Sequence, residues 1–582
     1  MPQHEYPRPQ LVREHWQSLN GQWNFSFDEA ASPTDVKWTH QIVVPYPPES
    51  KLSGIHDESF HRVVWYQRDF DAPELDNGER LILHFGAVDY KCDVWVNGHH
   101  LAQHTGGHTP FSMDVTDALT SNPNHVTVRA YDDPHELSKP RGKQDWHEQP
   151  HSIFYPRTTG IWQTVWLERV PEQRIDRIVM KPDLPGYAFT FDVRTTEAAQ
   201  AAGSVVAKAR IRNGQKTVAE AQWNVKQTSR QTLHLERGGL DDDRDLLWSP
   251  ERPNLLDVDL ELEVDGVTVD RVQSYTALRS IEGRDGMVHL NGQPYFLRLA
   301  LDQGYWDDTL LAAPDDDALR TDVELAKAMG FNGVRKHQKI EDPRYLYWAD
   351  RLGLLVWEEL PSAYNFTDRA IERLNQEWVE AIHRDINHPC IMAWVPFNES
   401  WGVPNLPHVP AQRSAVRGFY HLTKSLDDSR LVVGNDGWEH VSTDLLTIHD
   451  YHPDPDVIQA RYGTPEATLA IREATLEHGR RIVLHDADDL PSDLPAILSE
   501  FGGIRFHPEA EGWGYQEVEN ADAFIDLYGR MIKPLYFPGV AGFCYTQFAD
   551  TFQEQNGLLF SDRTPKVALD SLLSATEGNG DS

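Results

Sequence analysis

At 582 residues the chain is too long for one ordinary core, so three or four domains are expected. Ninety acidic residues against 54 basic ones give a net charge of −36, which disfavours nucleic acid or an anionic membrane as partner because both need a basic patch. No run approaches the roughly 18 apolar residues of a membrane span, the first ten residues lack the apolar core of a signal peptide, and Cys92, Cys390 and Cys544 are spaced as reduced thiols, so a cytoplasmic location is expected.

From the N-terminus the pattern is short strands separated by turns. Leu81–Phe85 alternates with period two, Cys92–Val96 leads into Asn97-Gly98, and Val126–Tyr131 and Thr164–Leu167 follow. This predicts an all-β sandwich over residues 1–170. Ser204–Ala207, Leu260–Val264 and the Asp265-Gly266 turn predict an immunoglobulin-like β-sandwich over 171–280, with nothing catalytic in it. Near 281 the rhythm becomes strand, loop, helix. Leu319, Val323, Ala326 and Gly330 mark a helix over 315–329 with acidic residues in its first turn. Candidate strands at 296–301, 333–337, 354–360, 391–399, 431–436, 445–451, 496–503 and 542–549 match a (β/α)8 TIM barrel over 281–582, with a doubly wound sheet as the weaker reading because no Gly-rich phosphate loop follows the first strand.

Barrel active sites lie at the C-terminal ends of the strands. Those ends supply Asp302, Arg335 with His337, Glu358 with Glu359, Asn398 with Glu399, Asp436, His449 with Asp450 and Tyr451, Glu500, and Gln547 with Asp550. Polar groups converging on one rim suit a polyhydroxylated ligand, and 18 Trp, 20 Tyr and 27 His fit sugar binding as well as core packing. Glu399 and Glu500, on the fourth and seventh strands, suit glycosidic cleavage, with Glu399 held protonated as acid/base and Glu500 ionised as nucleophile. Asn398 is placed for the sugar 2-hydroxyl and Arg335 to keep Glu500 ionised; His337, His449 and Tyr451 are further substrate-binding candidates. Of Glu358 and Glu359, one must face away from the lumen.

The run Arg384–Trp394 followed by Asn398-Glu399-Ser400 resembles the acid/base signature of glycoside hydrolase family 2, which contains β-galactosidases, β-glucuronidases and β-mannosidases. Leu19–Trp23, Trp65–Phe70 and Thr159–Trp162 resemble that family's jelly roll, Leu290–Pro294 its barrel entry, Phe331–Arg335 its second strand, and Ser499–Gly502 its nucleophile strand. The resemblance implies a retaining exo-glycosidase using Glu399 and Glu500. Two departures bear on the sugar. The only Asn-x-Lys is Asn224-Val225-Lys226, in the second domain, whereas the family's glucuronidases carry this motif near the barrel's end. The chain also ends soon after the barrel, without the extra β domains of the largest β-galactosidases.

The loop from Asp145 to Arg157 is dense in rings and charge. In the resembled family the matching loop reaches the barrel mouth, so Trp146, His147 or Arg157 is expected to shape the site. Metal binding by His147 and His151 needs a helix that Pro150 opposes. Trp401 and Trp513 are candidate sugar platforms. The expected substrate is a terminal neutral sugar, most simply a β-D-galactoside. A β-galactofuranoside, an α-L-arabinoside, or a non-catalytic carbohydrate-binding role are the alternatives. No cofactor is required; a divalent cation could rest near the acidic rim without serving the mechanism, and a homo-oligomer is in keeping with the resembled family.

Overall fold

The computed structural model describes residues 6–579 apart from 226–227, 237–245, 486, 488–489 and 507–511, so Lys226 lies outside the described residues. Two antiparallel sheets make the first domain. One runs, in spatial order, His40–Val44, Gly21–Ser26, Val63–Phe70, Asn124–Tyr131, Lys91–Val96 and His99–Thr105. The other runs Trp16–Ser18, Val165–Pro171, Glu79–Phe85 and Phe111–Asp114. The period-two pattern sends Leu81, Leu83 and Phe85 into a core shared with Trp23, Tyr66, Val94 and Val128 of the facing sheet. At the hairpin Asn97-Gly98 both φ angles are positive, 50° and 82°, as a two-residue turn of this hand demands.

The second domain is a smaller sandwich. Ile175–Asp183, Ala188–Thr195 and Thr228–His234 form one sheet, and Lys216–Asn224, Val205–Asn213, Leu256–Val264 and Val267–Thr276 the other. Phe189, Phe191 and Val193 meet Ile211, Leu260 and Leu262 between them.

The third domain is a TIM barrel. Its strands are β1 (Leu297–Asp302), β2 (Gly333–Lys336), β3 (Leu355–Glu359), β4 (Ile391–Val395), β5 (Leu431–Val432), β6 (Leu446–His449), β7 (Ala496–Gly502) and β8 (Gly542–Thr546). Their spatial order is 5-4-3-2-1-8-7-6, all parallel, so first and last strands pair and the doubly wound alternative falls away. Among the described residues no ladder joins β5 to β6; the His449 N–H donates to the Gly437 carbonyl at 3.2 Å across that seam. All eight sequence-read strands exist, but several stop early. β4 ends at Val395 and β5 holds two residues, so Asn398, Glu399 and Asp436 stand on turns beyond the ladder. Helix α1 (Asp316–Ala328) begins where the acidic turn indicates: Asp315 caps it, accepting from the Ala318 N–H at 2.7 Å.

Much of the Arg384–Trp394 signature serves docking. Asn387 clasps the edge of the second domain, accepting from the Met180 N–H at 2.8 Å and donating to the Ile178 carbonyl at 2.9 Å. His388 and the Cys390 N–H bond the buried Asp350 at 2.6 and 2.7 Å. Asn387→Ala is expected to lower stability by about 1–3 kcal/mol through the two stranded backbone groups. Urea titration monitored by tryptophan fluorescence checks this.

The first domain sits on the barrel's C-terminal rim. Glu377, on helix α2 (Asp368–Asp385), accepts from the Gly107 and His108 N–H groups, both at 3.1 Å. The loop 141–157 is laid across the mouth. Arg141 and Gly142 donate their N–H groups to the Ser362 carbonyl at 3.0 and 3.1 Å, and Gln553 donates to the carbonyls of Ser152 and Phe154 at 2.9 and 2.7 Å.

Candidate active site

Two glutamates face each other across one histidine. Beyond β4, the Glu399 N–H donates to the Asp436 carbonyl at 2.9 Å and the Asp436 N–H to the Phe397 carbonyl at 2.8 Å, extending the β4–β5 contact by a few residues. Glu399 and Ser400 then adopt φ of 50° and 57°, a left-handed conformation that costs on the order of 1 kcal/mol for a non-glycine residue and persists only when its surroundings hold it. Asn435 does so here by accepting from the Ser400 N–H at 2.9 Å. Glu500 comes from the interior of β7, where the ladder to its neighbours is irregular.

Strand alternation decides which neighbours share the lumen. Arg335 points inward and Lys336 outward, to Asp302 and Glu341 at 2.7 Å each. Arg335 is fully buried and saturated: it meets Glu500 at 2.7 Å, Asp436 at 2.9 Å, Glu359 at 2.8 Å and the Asn398 amide oxygen at 2.6 Å. Glu359 faces inward, and burial pushes it up to about 7 against the pull of Arg335. Its neighbour Glu358 faces Asp385 behind the barrel wall, where burial and that carboxylate drive it well up.

The Tyr451 hydroxyl donates to Glu500 at 2.7 Å and stands 3.0 Å from the Thr546 hydroxyl. His449 Nδ1 lies 2.7 Å from Glu399 Oε1 and 3.5 Å from Glu500 Oε2, and its Nε2 lies 3.4 Å from Asp436. Burial alone would lower this imidazole, but the carboxylates of Glu500, Asp436 and Glu399 outweigh it and raise it to about 10. Burial would likewise raise Glu399; instead the bond from His449, with the charges of His449, Lys143 and Arg335, holds it below the ordinary carboxylate range. The sequence reading has Glu399 protonated by itself. In the folded site His449 stands 2.7 Å from it and favours its ionised form, so the two groups titrate as a pair.

Glu399, His449 and Glu500 each place a ligand-type atom within 4.8 Å of the other two. Asn398 spends its oxygen on Arg335, and its buried amide nitrogen has no partner among the described residues, leaving a donor at the site. His337 stands between Arg335 and Glu359, 3.2 and 3.1 Å away; burial and the charges of Lys143 and Arg335 push its imidazole well below its usual range.

The rim residues divide. Trp401 is the ring beside Glu399, its Nε1–H donating to Glu399 Oε2 at 3.4 Å. It meets Tyr364 and Phe154 at 5.2 and 6.2 Å, and these pack on Trp146 at 5.1 and 4.7 Å, so Trp146 is the outer part of one aromatic wall. Trp513 is anchored at the loop, its Nε1–H donating to the Ser152 carbonyl at 3.1 Å, while Tyr515 beside it stacks on Tyr451 at 3.6 Å. His147 is exposed and bonds Asp145 at 3.0 Å. Arg157 is withdrawn from the mouth, bound to Asp132 at 2.6 Å inside the first domain. Asp145 also bonds His151 at 2.7 Å and both histidine N–H groups, so its carboxylate is already used to close the loop. Sequence reasoning has Trp401 as a sugar platform without its contact with Glu399, and it does not reach Lys143, which carries no motif and comes to the barrel only through the fold.

Three family models cover the chain: glycosyl hydrolase 2 galactose-binding domain-like over residues 51–164, glycosyl hydrolases family 2 over 173–279, and glycosyl hydrolases family 2, TIM barrel domain over 281–577. A β-galactosidase of Thermoanaerobacter pseudethanolicus is 28% identical over 395 residues, 66% of this chain and 50% of that one. A β-galactosidase of Vibrio cholerae is 25% identical over 641 residues, 98% of this chain and 57% of that one. The chain thus spans about half the length of these curated relatives. Among solved structures, a β-glucuronidase of an uncultured Clostridium sp. superposes with a TM-score of 0.75 at 20% identity, covering 98% of this chain and 99% of that one, a likeness of fold.

Proposed function

The chain belongs to glycosyl hydrolase family 2, and from that premise we propose that it is a retaining exo-glycosidase with Glu500 as nucleophile and Glu399 as acid/base. The observation that carries the reading is the separation of the two carboxylates. Glu399 and Glu500 bring their nearer oxygens within 4.8 Å of each other with His449 between them, which suits the close pair of a retaining enzyme, roughly 5–5.5 Å apart, better than the roughly 6.5–9.5 Å pair that an inverting enzyme needs for its water.

In the first displacement a Glu500 oxygen attacks the anomeric carbon while Glu399 gives a proton to the glycosidic oxygen, and the bond to the leaving alcohol breaks. Arg335 and Tyr451 fix Glu500 through one oxygen each. A bound sugar expels water from the His449–Glu399 pair, which favours its neutral form, with the proton on Glu399. In the second displacement Glu399 takes a proton from water, the hydroxide attacks the same carbon, and the ester to Glu500 breaks. The sugar leaves with its original configuration. The free Asn398 amide suits the 2-hydroxyl, a contact that strengthens at the transition state.

For the sugar, the names of the relatives divide between β-galactosidase and β-glucuronidase, so the choice between a neutral and an acidic sugar falls to the pocket's own groups. The retention of both carboxylates with their network favours an enzyme over a non-catalytic binder. Nitrophenyl β-galactoside, β-glucoside, β-mannoside, α-L-arabinoside, β-glucuronide and β-galacturonide are the test panel. For the substrate turned over, proton NMR is expected to record the substrate's own anomer first, with mutarotation afterwards. Appearance of the opposite anomer first would overturn the double displacement, and release of nitrophenol from none of the six would overturn the assignment.

A further inference from the structure

The first domain delivers a lysine to the barrel mouth. Five lysines are buried among the described residues, and four of them hold a carboxylate: Lys139 with Asp132, Lys336 with Asp302 and Glu341, Lys339 with Glu341, and Lys566 with Asp550. Lys143 is the fifth. It is 6% exposed and makes no side-chain hydrogen bond or ion pair with any described residue; its ammonium lies over the Tyr155 ring at 6.0 Å. An ammonium taken out of water without a counter-charge is unfavourable, which is why buried lysines are normally paired.

Its placement is built. Gly142 adopts a φ of +59°, and a Cβ there would lie 2.5 Å from the Gln338 carbonyl, so only glycine lets the chain press against the end of β2. The Tyr364 hydroxyl donates to the Gly142 carbonyl at 2.6 Å, and the Tyr155 N–H donates to the Lys143 carbonyl at 2.8 Å. The ring under the ammonium belongs to Tyr155, whose hydroxyl donates to Glu554, beyond β8, at 2.6 Å, and the lysine's charge acts on Glu399 and His337, beyond β4 and β2. None of the carboxylates there is free to take it. Glu554 is held by Tyr155 and Asn556 at 2.6 and 3.1 Å, Glu399 by His449, and Glu500 by Arg335 and Tyr451.

We propose that Lys143 is the anion-binding residue of the sugar pocket and that the terminal sugar is a β-linked hexuronic acid whose carboxylate completes the missing ion pair. This rests on the retaining-glycosidase reading and sharpens it. The absence of an Asn-x-Lys at the barrel's end does not leave the pocket without a cation, because the loop of another domain provides one. A neutral galactoside would leave the ammonium with hydroxyls alone.

The test compares nitrophenyl β-glucuronide and β-galacturonide with the matching glucoside and galactoside, for the wild type, Lys143→Met and Lys143→Arg. The wild type is expected to favour at least one uronide over its neutral counterpart by about 100-fold or more in kcat/KM. Lys143→Met should lower the ratio of kcat/KM on that uronide to kcat/KM on the neutral sugar on the order of 10²–10³-fold, with Lys143→Arg in between. Thermal melting of both variants checks that they fold. A wild type that prefers the neutral sugar, or a Lys143→Met loss equal on both, would overturn the uronide assignment while leaving the retaining glycosidase standing. No turnover of any of the four would count against both.

Discussion

Glu500→Ala is expected to lose at least about 10⁴-fold in kcat on aryl glycosides, because removing a catalytic nucleophile takes away the covalent route and leaves only binding and the remaining charges. The loss is chemical and not a collapse of the site. Arg335 keeps Asp436, Glu359 and Asn398 after Glu500 is truncated, and Tyr451 keeps Thr546. Sodium azide should restore part of the turnover by entering the space of the lost carboxylate. A single attack from that face, with Glu399 still protonating the leaving oxygen, yields a glycosyl azide of inverted configuration: α from a β-glycoside. Product NMR reads this directly. Undiminished activity in the variant, or an azide product of retained configuration, would remove Glu500 from the nucleophile's place.

How legible the molecule is in its sequence depends on the range of the forces involved. Leu81–Phe85, Asn97-Gly98 and the Asp315-capped helix are local: periodicity, a turn that demands positive φ and a side-chain cap need only their own neighbours. The barrel's strands were readable for the same reason, and so were Glu399 and Glu500, because a strand's C-terminal end is a position along the chain. Strand ends were over-read where hydrogen bonding is completed by something else. The Asn398–Asp436 contact continues β4 toward β5 without a ladder, and no pattern in Pro396-Phe397 announces it. The protonation of Glu399 was not legible at all, since it depends on His449, some 50 residues later, and on Asp436 behind that ring. Lys143 is the extreme case. Nothing in Gly142-Lys143-Gln144 points to a pocket until Gly142 is pressed against Gln338 of another domain.

Glu399→Ala should separate from Glu500→Ala in two ways that no general damage to the site reproduces. The acid is needed only in proportion to how badly the leaving group needs a proton. The first displacement is therefore expected to fall on the order of 10³–10⁴-fold for an alkyl or methylumbelliferyl glycoside and by less than about 10-fold for a dinitrophenyl one. With the dinitrophenyl substrate the glycosyl-enzyme then accumulates, because no base remains to activate water, and a burst of dinitrophenolate should precede a slow steady state. Azide needs no base. It should speed that steady state by attacking the ester on Glu500, and since this is the second inversion at the anomeric carbon, the product is an azide of retained configuration. The pH profile should change with it. In the wild type, acid catalysis requires the one proton of the His449–Glu399 pair, so activity falls as pH rises through that pair's deprotonation, with His449 raised to about 10 while Glu399, Glu500 and Asp436 surround it. Removing Glu399 takes away one of those carboxylates and the need for the proton together, so the alkaline fall should vanish for the dinitrophenyl substrate. Equal losses on good and poor leaving groups, or an azide product of inverted configuration, would mean that Glu399 is not the acid/base. Retained azide from Glu399→Ala beside inverted azide from Glu500→Ala would assign the two faces of the sugar to the two glutamates independently of any relative.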